Sequence, residues 1–116
     1  MISIVEDDAS MRDALAGFVR SLGYQVRSFG SAEAYLAVRD GRCACLITDI
    51  ELPGIDGIEM MAELTALGYE IPVIVITARS TIAGEGAARA AGALCYLTKP
   101  FEMTELIDCL DRALAA

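Results

Sequence analysis

The chain has 116 residues, 55% of them hydrophobic, so it is long enough to form one domain around a single core, which we expect to span residues 1–116. Its formal net charge of −8 argues against direct binding of nucleic acid by this domain. The absence of histidine excludes histidine metal ligands and a histidine-activated nucleophile within the chain.

Five strand-like segments alternate with five helix-like segments along the sequence. Apolar, β-branched runs predict strands at Ile2–Val5, Tyr24–Phe29, Ala44–Ile50, Ile71–Thr77 and Ala93–Leu97. Helical spacing of apolar residues predicts helices from Asp8 to about Leu22, Ser31 to about Val38, Asp56 to Gly68, Ser80 to Ala91 and Glu102 to about Ala115. Such alternation, with short connections like the turn at Asp40-Gly41, is typical of an α/β fold with a parallel sheet between helices.

Neither the cysteines nor the apolar segments indicate a metal centre or a membrane anchor. The spacing of Cys43 and Cys45 differs from the two-residue gap of zinc and thioredoxin-type pairs, and Cys95 and Cys109 fall within a predicted strand and helix. We therefore expect four buried, reduced cysteines. No apolar stretch approaches the roughly 20 residues that span a bilayer, and no secretory signal is visible. We expect a soluble cytoplasmic protein without membrane contact.

Polar residues occur where the predicted strands end. Glu6 and Asp7 follow the first strand, Asp49 ends the third, Thr77 ends the fourth and Lys99 follows the fifth. The carboxyl ends of parallel strands share one edge of the sheet, so these side chains should meet there. Crowded carboxylates need a cation, and oxygen ligands without histidine favour Mg²⁺. Beside such a cation Asp49 could attack phosphorus and form an aspartyl phosphate, while Thr77 and Lys99 bind the phosphoryl oxygens.

Four motifs occur in the order and at spacings similar to those of one protein family. They are Val5-Glu6-Asp7-Asp8, Thr48 to Gly57, Ile76-Thr77-Ala78 and Tyr96 to Phe101. Together they resemble the receiver domain of bacterial two-component response regulators, and the resemblance covers essentially the whole chain. It implies a flavodoxin-like and CheY-like (βα)5 fold, a doubly wound parallel sheet with strand order 2-1-3-4-5. It also implies a phosphorylation-activated signalling switch that assists its own phosphorylation and dephosphorylation but is otherwise no enzyme.

The resemblance assigns a role to each acidic residue near the predicted site. Asp49 would be the phosphoacceptor. Asp7 would bind Mg²⁺ directly and Glu6 through water, while Glu51 would offer its backbone carbonyl to the same ion. Asp8 would be a helix cap rather than a ligand.

The remaining motif residues match the family's switch and phosphate-binding positions. Thr77 and Tyr96 correspond to the paired switch residues, in which the hydroxyl moves toward the phosphate and the aromatic ring turns inward. Lys99 corresponds to the phosphate-binding lysine, and its bond to Pro100 is expected to be cis. From the residues themselves we hypothesise that Arg79 reaches over the site toward Glu51 or the phosphate and hinders the attacking water.

The resemblance also implies partners. A sensor histidine kinase or phosphotransfer protein carrying phosphohistidine would supply the phosphoryl group. Phosphorylation would then alter the surface built by the fourth helix, fifth strand and fifth helix, and so control an output domain or a downstream protein, for example in transcription. The same change could bring two copies together as a homodimer.

Two other functions are compatible with parts of the sequence. A haloacid-dehalogenase-like hydrolase also passes through an aspartyl phosphate, but it needs an Asp two positions after the nucleophile, where this chain has Glu51. A nucleotide- or flavin-binding module would need a glycine-rich phosphate loop after the first strand, which the chain lacks. The receiver function therefore explains more of the motifs than either alternative.

Overall fold

The predicted α/β architecture is confirmed by the computed structural model, which describes residues 1–38 and 43–115. The strands of this part of the chain are β1 (Ile2–Val5), β2 (Val26–Phe29), β3 (Cys45–Thr48), β4 (Val73–Thr77) and β5 (Ala93–Thr98). Its helices are α1 (Ala9–Ser21), α2 (Ala32–Val38), α3 (Gly57–Ala66), α4 (Ile82–Ala90) and α5 (Met103–Leu114). All strand pairs are parallel, and their order, β2-β1-β3-β4-β5, is the order that the motifs implied.

Several predicted boundaries were wrong by one or two residues, for local reasons. β4 begins after Pro72, which has no N–H to donate, although its carbonyl oxygen accepts a bond from the Leu46 amide at 2.9 Å. Thr81 caps α4 by accepting from the Gly84 amide at 2.9 Å, so the helix begins after it and not at Ser80. The structure also starts β2 at Val26, confines β3 to Cys45–Thr48 and extends β5 to Thr98. The predicted turn at Asp40-Gly41 lies outside the described residues.

Side-chain caps also fix the starts of α1 and α3. Asp8 accepts a hydrogen bond from the Met11 amide at 2.9 Å, which confirms its predicted role as the N-cap of α1. Asp56 and Glu59 form the predicted capping box of α3. These caps place the helix starts at the same edge of the sheet at which the strands end.

Helices cover both faces of the sheet, and the side chains that alternate along each strand pack toward one layer of helices or the other. Val5, Leu46 and Val75 pack toward α2, α3 and α4, whereas Ile4, Ile47 and Ile74 pack toward α1 and α5. β1, β3 and β4 are buried along their whole length, which matches their nearly continuous apolar sequences. In the described part of the chain, no helix is both long enough and apolar enough to span a bilayer.

The four cysteines are free thiols, as predicted. Cys45, Cys95 and Cys109 are buried in the core on the α1 and α5 side, but Cys43 is only half-buried, which corrects the expectation of four buried cysteines. Burial raises the pKa of Cys45 to about 12. The Cys45 thiol is therefore a protonated packing group at neutral pH.

One register shift interrupts the pairing of β4 with β5. Val73 pairs with Ala93 and the next residue, Ile74, pairs with Cys95, so Leu94 has no opposite residue on β4. Beyond this bulge the ladder is regular as far as the pair of Thr77 with Thr98. Lys99 is thus the first residue after the paired segment.

Candidate functional site at the carboxyl edge of the sheet

Main-chain hydrogen bonds beyond the strand ends hold the candidate residues at one edge of the sheet. The Asp49 amide donates to the Val5 carbonyl at 3.2 Å, and the Lys99 amide donates to the Thr77 carbonyl at 2.8 Å. The Glu6 amide donates to the Phe29 carbonyl at 3.0 Å. These bonds continue the parallel ladder by one residue, so the side chains that follow β1, β3 and β5 start from defined backbone positions.

Three carboxylates converge at this edge. One oxygen from each of Glu6, Asp7 and Asp49 lies within 4.8 Å of the others, a spacing that fits ligands of a single cation. Glu6 and Asp49 are buried, with 3% and 7% of their surfaces exposed, whereas Asp7 is exposed to solvent. An all-oxygen donor set of this kind suits a hard divalent ion such as Mg²⁺.

Lys99 joins the two buried carboxylates. Its ammonium nitrogen Nζ lies 3.0 Å from Asp49 Oδ2 and 3.2 Å from Glu6 Oε2. Burial raises the pKa of Glu6, although the charge of Lys99 acts in the opposite direction. Burial also disfavours the Lys99 ammonium, but its bonds and charge interactions with Asp49 and Glu6 outweigh this effect and raise the pKa of Lys99. The Lys99-Pro100 peptide bond is cis, as expected.

Thr77 and Tyr96 occupy neighbouring strands behind the carboxylates. Thr77 is buried, and its hydroxyl Oγ1 accepts a hydrogen bond from the Arg79 amide at 3.2 Å. The ring of Tyr96 packs against the core on the α2–α4 side. Its hydroxyl Oη is buried and makes no hydrogen bond with the described part of the chain. A Cβ at Gly84 would lie 3.6 Å from this hydroxyl. Gly84 of α4 therefore lies next to the Tyr96 hydroxyl and has no side chain to contact it.

The loop between β3 and α3 forms the rim of the site. The Glu51 amide donates to Asp49 Oδ1 at 3.1 Å, which orients the Asp49 carboxylate from the side opposite Lys99. Arg79 Nε lies 3.7 Å from Glu51 Oε2, so the two residues meet above the edge as hypothesised. Their side chains are 81% and 53% exposed, and the pair is correspondingly weak.

Two contacts near the site were missed from the sequence. Arg12 on α1 donates from Nη1 to the Glu6 carbonyl oxygen at 2.8 Å. The carboxylate of Glu33 on α2 accepts from the Ile55 amide in the rim loop at 3.1 Å. The position of Arg12 one turn after the Asp8 cap was a usable signal. No local pattern indicates the second contact, because 22 residues separate its partners.

Comparison with known proteins places every one of these residues within a single family match. The family model described as "Response regulator receiver domain" matches residues 2–111. The response regulator protein TmoT of Ectopseudomonas mendocina is 38% identical over 115 residues, which cover 98% of this chain and 52% of that protein. The transcriptional regulatory protein FixJ of Rhizobium meliloti is 37% identical over 113 residues, covering 97% of this chain and 55% of FixJ. The chain thus spans about half the length of these curated relatives.

A solved structure confirms the likeness at the level of the fold. The crystal structure of FixJ-N superimposes with a TM-score of 0.91 at 36% sequence identity. The superposition covers 98% of this chain and 92% of FixJ-N. The cluster of Glu6, Asp7, Asp49 and Lys99 therefore lies on a shared scaffold and is not an isolated surface feature.

Proposed function

Because the chain belongs to the family of response regulator receiver domains, we propose that Asp49 is its phosphoacceptor. The observation that carries this proposal is the placement of Asp49: it is buried, bonded to Lys99 and within ligand distance of Glu6 and Asp7. Receiver domains are phosphorylation-activated signalling switches, and this chain is one by its family membership. The haloacid-dehalogenase alternative has no support among the relatives.

The phosphoryl transfer is a displacement at phosphorus by a carboxylate oxygen of Asp49. With phosphohistidine as donor, the new bond joins this oxygen to phosphorus, the phosphorus–nitrogen bond breaks, and the donor imidazole leaves after taking up a proton. The Glu51 amide and the Lys99 ammonium hold the two oxygens of the Asp49 carboxylate in the resting protein. Lys99 is placed to follow the charge onto a phosphoryl oxygen.

The acidic residues at the edge of the sheet fit a Mg²⁺ site. Asp7, Asp49 and the backbone carbonyl of Glu51 would hold the ion directly, and Glu6 would hold it through water. When bound, the ion neutralises the charge of the attacking carboxylate and the phosphoryl group. Asp7 is the exposed member of the set and leaves the site open toward solvent and the donor.

Thr77 and Tyr96 provide the path from the phosphorylated site to the surface. The Thr77 hydroxyl is held by the Arg79 amide and can exchange this bond for one to a phosphoryl oxygen. The Tyr96 hydroxyl lies beside Gly84 in the first turn of α4, which Thr81 caps, so we expect a coupled movement of Thr77 and Tyr96 to displace the start of that helix. We assign the α4-β5-α5 face to an output domain, a downstream protein or a second copy of the phosphorylated chain.

The proposal also covers the source of the phosphoryl group and the reaction that the domain itself assists. A sensor histidine kinase or phosphotransfer protein supplies the phosphoryl group, and the receiver turns over only its own Asp49. It is therefore not an enzyme toward a separate substrate. Its formal charge of −8 supports signalling through protein partners and not through nucleic acid bound by this domain.

Labelling by acetyl phosphate tests the proposal. The parent should gain one phosphoryl group with Mg²⁺ and almost none with excess chelator, as measured by intact-mass spectrometry. Asp49→Asn should remain unlabelled, and Asp13→Asn, which changes an exposed carboxylate on α1, should be labelled like the parent. Label on the Asp49→Asn protein would overturn the assignment, and release of phosphate over many turnovers would favour a hydrolase.

A further inference from the structure

The rim loop between Asp49 and α3 is fastened to α2 by one side chain. Glu33, in the first turn of α2, accepts a hydrogen bond from the Ile55 amide through Oε2 at 3.1 Å. The partners are 22 residues apart and belong to different βα units. The contact therefore fixes the loop relative to the body of the domain.

Gly54 makes room for this contact. Its φ of 76° lies in the left-handed region that favours glycine. A Cβ at this position would overlap Glu33 Oε2 and lie 3.2 Å from Glu33 Cδ. The missing side chain thus lets the Glu33 carboxylate reach the loop backbone and bind the next amide.

The first turn of α2, which carries Glu33, is held in place by a cap and by buried side chains. Ser31 caps α2 by accepting from the Ala34 amide at 3.1 Å. The residues on either side of the Glu33 turn, Ala32 and Tyr35, are buried in the core on the α2–α4 side, and the Tyr35 ring meets Phe29 edge to face at 5.4 Å between ring centroids. The exposed Glu33 side chain extends from this base over the loop.

The loop is held at its other end by the phosphoacceptor itself. The Glu51 amide binds Asp49 Oδ1 at 3.1 Å, and the Gly57 amide binds the Ile50 carbonyl at 2.8 Å. A Cβ at Gly57 would overlap the Asp49 carbonyl oxygen, so α3 starts in close contact with the acceptor backbone. Between these two ends, Glu33 supplies the side-chain contact from another unit of the fold.

We propose that Glu33 is a positioning residue for the metal site, acting through the rim loop on the Glu51 carbonyl. This inference rests on the proposed function, because that function makes the Glu51 carbonyl a ligand. The direction of the Glu51 carbonyl is set by the loop backbone and not by the Glu51 side chain. It therefore depends on the contacts that hold the loop in place. Outer contacts that orient ligands commonly change metal affinity by about one order of magnitude.

Mg²⁺ titration of the unphosphorylated protein by calorimetry tests this role. Glu33→Ala should raise the Mg²⁺ dissociation constant about tenfold and speed hydrogen exchange at the Ile55 amide. Glu33→Gln loses the same charge but keeps an oxygen that can accept the Ile55 bond, so it should stay within about twofold of the parent. Glu63→Ala removes an exposed carboxylate on α3 and controls for net charge.

Two results would overturn the inference. One is a Glu33→Ala protein that binds Mg²⁺ with the parental affinity. The other is a Glu33→Gln protein as weakened as Glu33→Ala, because charge and not the bond to Ile55 would then be the cause. Urea midpoints close to that of the parent are expected for all three variants, since the contact is at the surface. A parent that binds Mg²⁺ but takes no label at Asp49 would instead refute the proposed function, so the two failures are distinguishable.

Discussion

Lys99 Nζ lies 3.0 Å from Asp49 Oδ2, although the two residues are 50 positions apart. The same ammonium lies 3.2 Å from Glu6 Oε2, and only 18% of the Lys99 side chain is exposed. Lysine therefore acts as the resting counterion of two carboxylates that a divalent cation would also use. The two cations are expected to compete electrostatically at this edge.

Replacing Lys99 should have opposite effects on Mg²⁺ affinity and on phosphorylation of Asp49. Lys99→Gln removes a positive charge next to two ligands, so Mg²⁺ affinity should rise about tenfold while labelling by acetyl phosphate falls. Without Mg²⁺ the variant should lose about 2 kcal/mol of unfolding free energy, because Glu6 and Asp49 stay buried without their counterion. Calorimetry, labelling and urea unfolding measure the three effects. Arg89→Ala, which removes an exposed cation from α4, is the control, and weaker Mg²⁺ binding by Lys99→Gln would contradict this account.

The Arg79–Glu51 pair should lengthen the life of the phosphorylated state. Arg79→Ala uncovers the rim, so we expect hydrolysis of the aspartyl phosphate to accelerate about two- to fivefold, an effect on the order of 0.4–1 kcal/mol in the barrier. Unfolding free energy should change by less than about 0.5 kcal/mol because the pair is exposed. The decay of the phosphorylated mass after removal of acetyl phosphate gives the rate. An unchanged decay would show that Arg79 does not hinder the attacking water.

The buried hydroxyl of Tyr96 should lower the free energy of unfolding of the unphosphorylated protein. No group in the described part of the chain hydrogen-bonds to it, so Tyr96→Phe keeps the packed ring and removes an unsatisfied polar atom. We expect the free energy of unfolding to rise by about 1 kcal/mol. Tyr24→Phe, at a half-buried position on the opposite face, should change it by less than about 0.5 kcal/mol. Destabilisation by Tyr96→Phe in urea would show that the hydroxyl has a partner in solution.

The buried thiol of Cys45 should make the protein sensitive to alkali. Burial raises its pKa from 9.0 to about 12, so above pH 9 the unfolded chain releases this proton while the folded chain keeps it. Stability then falls as pH rises, by about 1.4 kcal/mol per pH unit from this one group. Urea unfolding between pH 9 and 10.5 should show a shallower decline for Cys45→Ala than for the parent. Parallel curves would contradict the predicted effect.

The fold was predictable because each local signal agreed with the global one. Strand segments such as Ile2–Val5 are apolar along their length, and caps such as Asp8 and Asp56 stand directly before the helices. Two of the errors arose where a single residue delays the start of an element. Pro72 delays the start of β4 because it has no N–H to donate, and Thr81 delays the start of α4 by capping it.

The site was predictable to the extent that topology alone assembles it. Parallel strands bring residues at their carboxyl ends together, so the strand pattern was sufficient to group Glu6, Asp49 and Lys99. The contacts of Arg12 and Glu33 with backbone groups depend on how helices and loops pack in three dimensions. The position of Arg12 one turn after the Asp8 cap was a signal for the first contact, but no periodicity or motif encodes the contact of Glu33 with Ile55, which becomes visible only in the folded chain.

Because of the bulge at Leu94, β5 could lose one residue without a change in the geometry of the site. Ala93 and Cys95 pair with adjacent residues of β4, so deleting Leu94 would leave a regular ladder and keep every later β5 side chain on its present face. The Thr77–Thr98 pairing would survive, and Lys99 would still point at Asp49. Evolution could therefore drop the residue at this point of the edge strand without disturbing the chemistry at Lys99, five residues further along the chain.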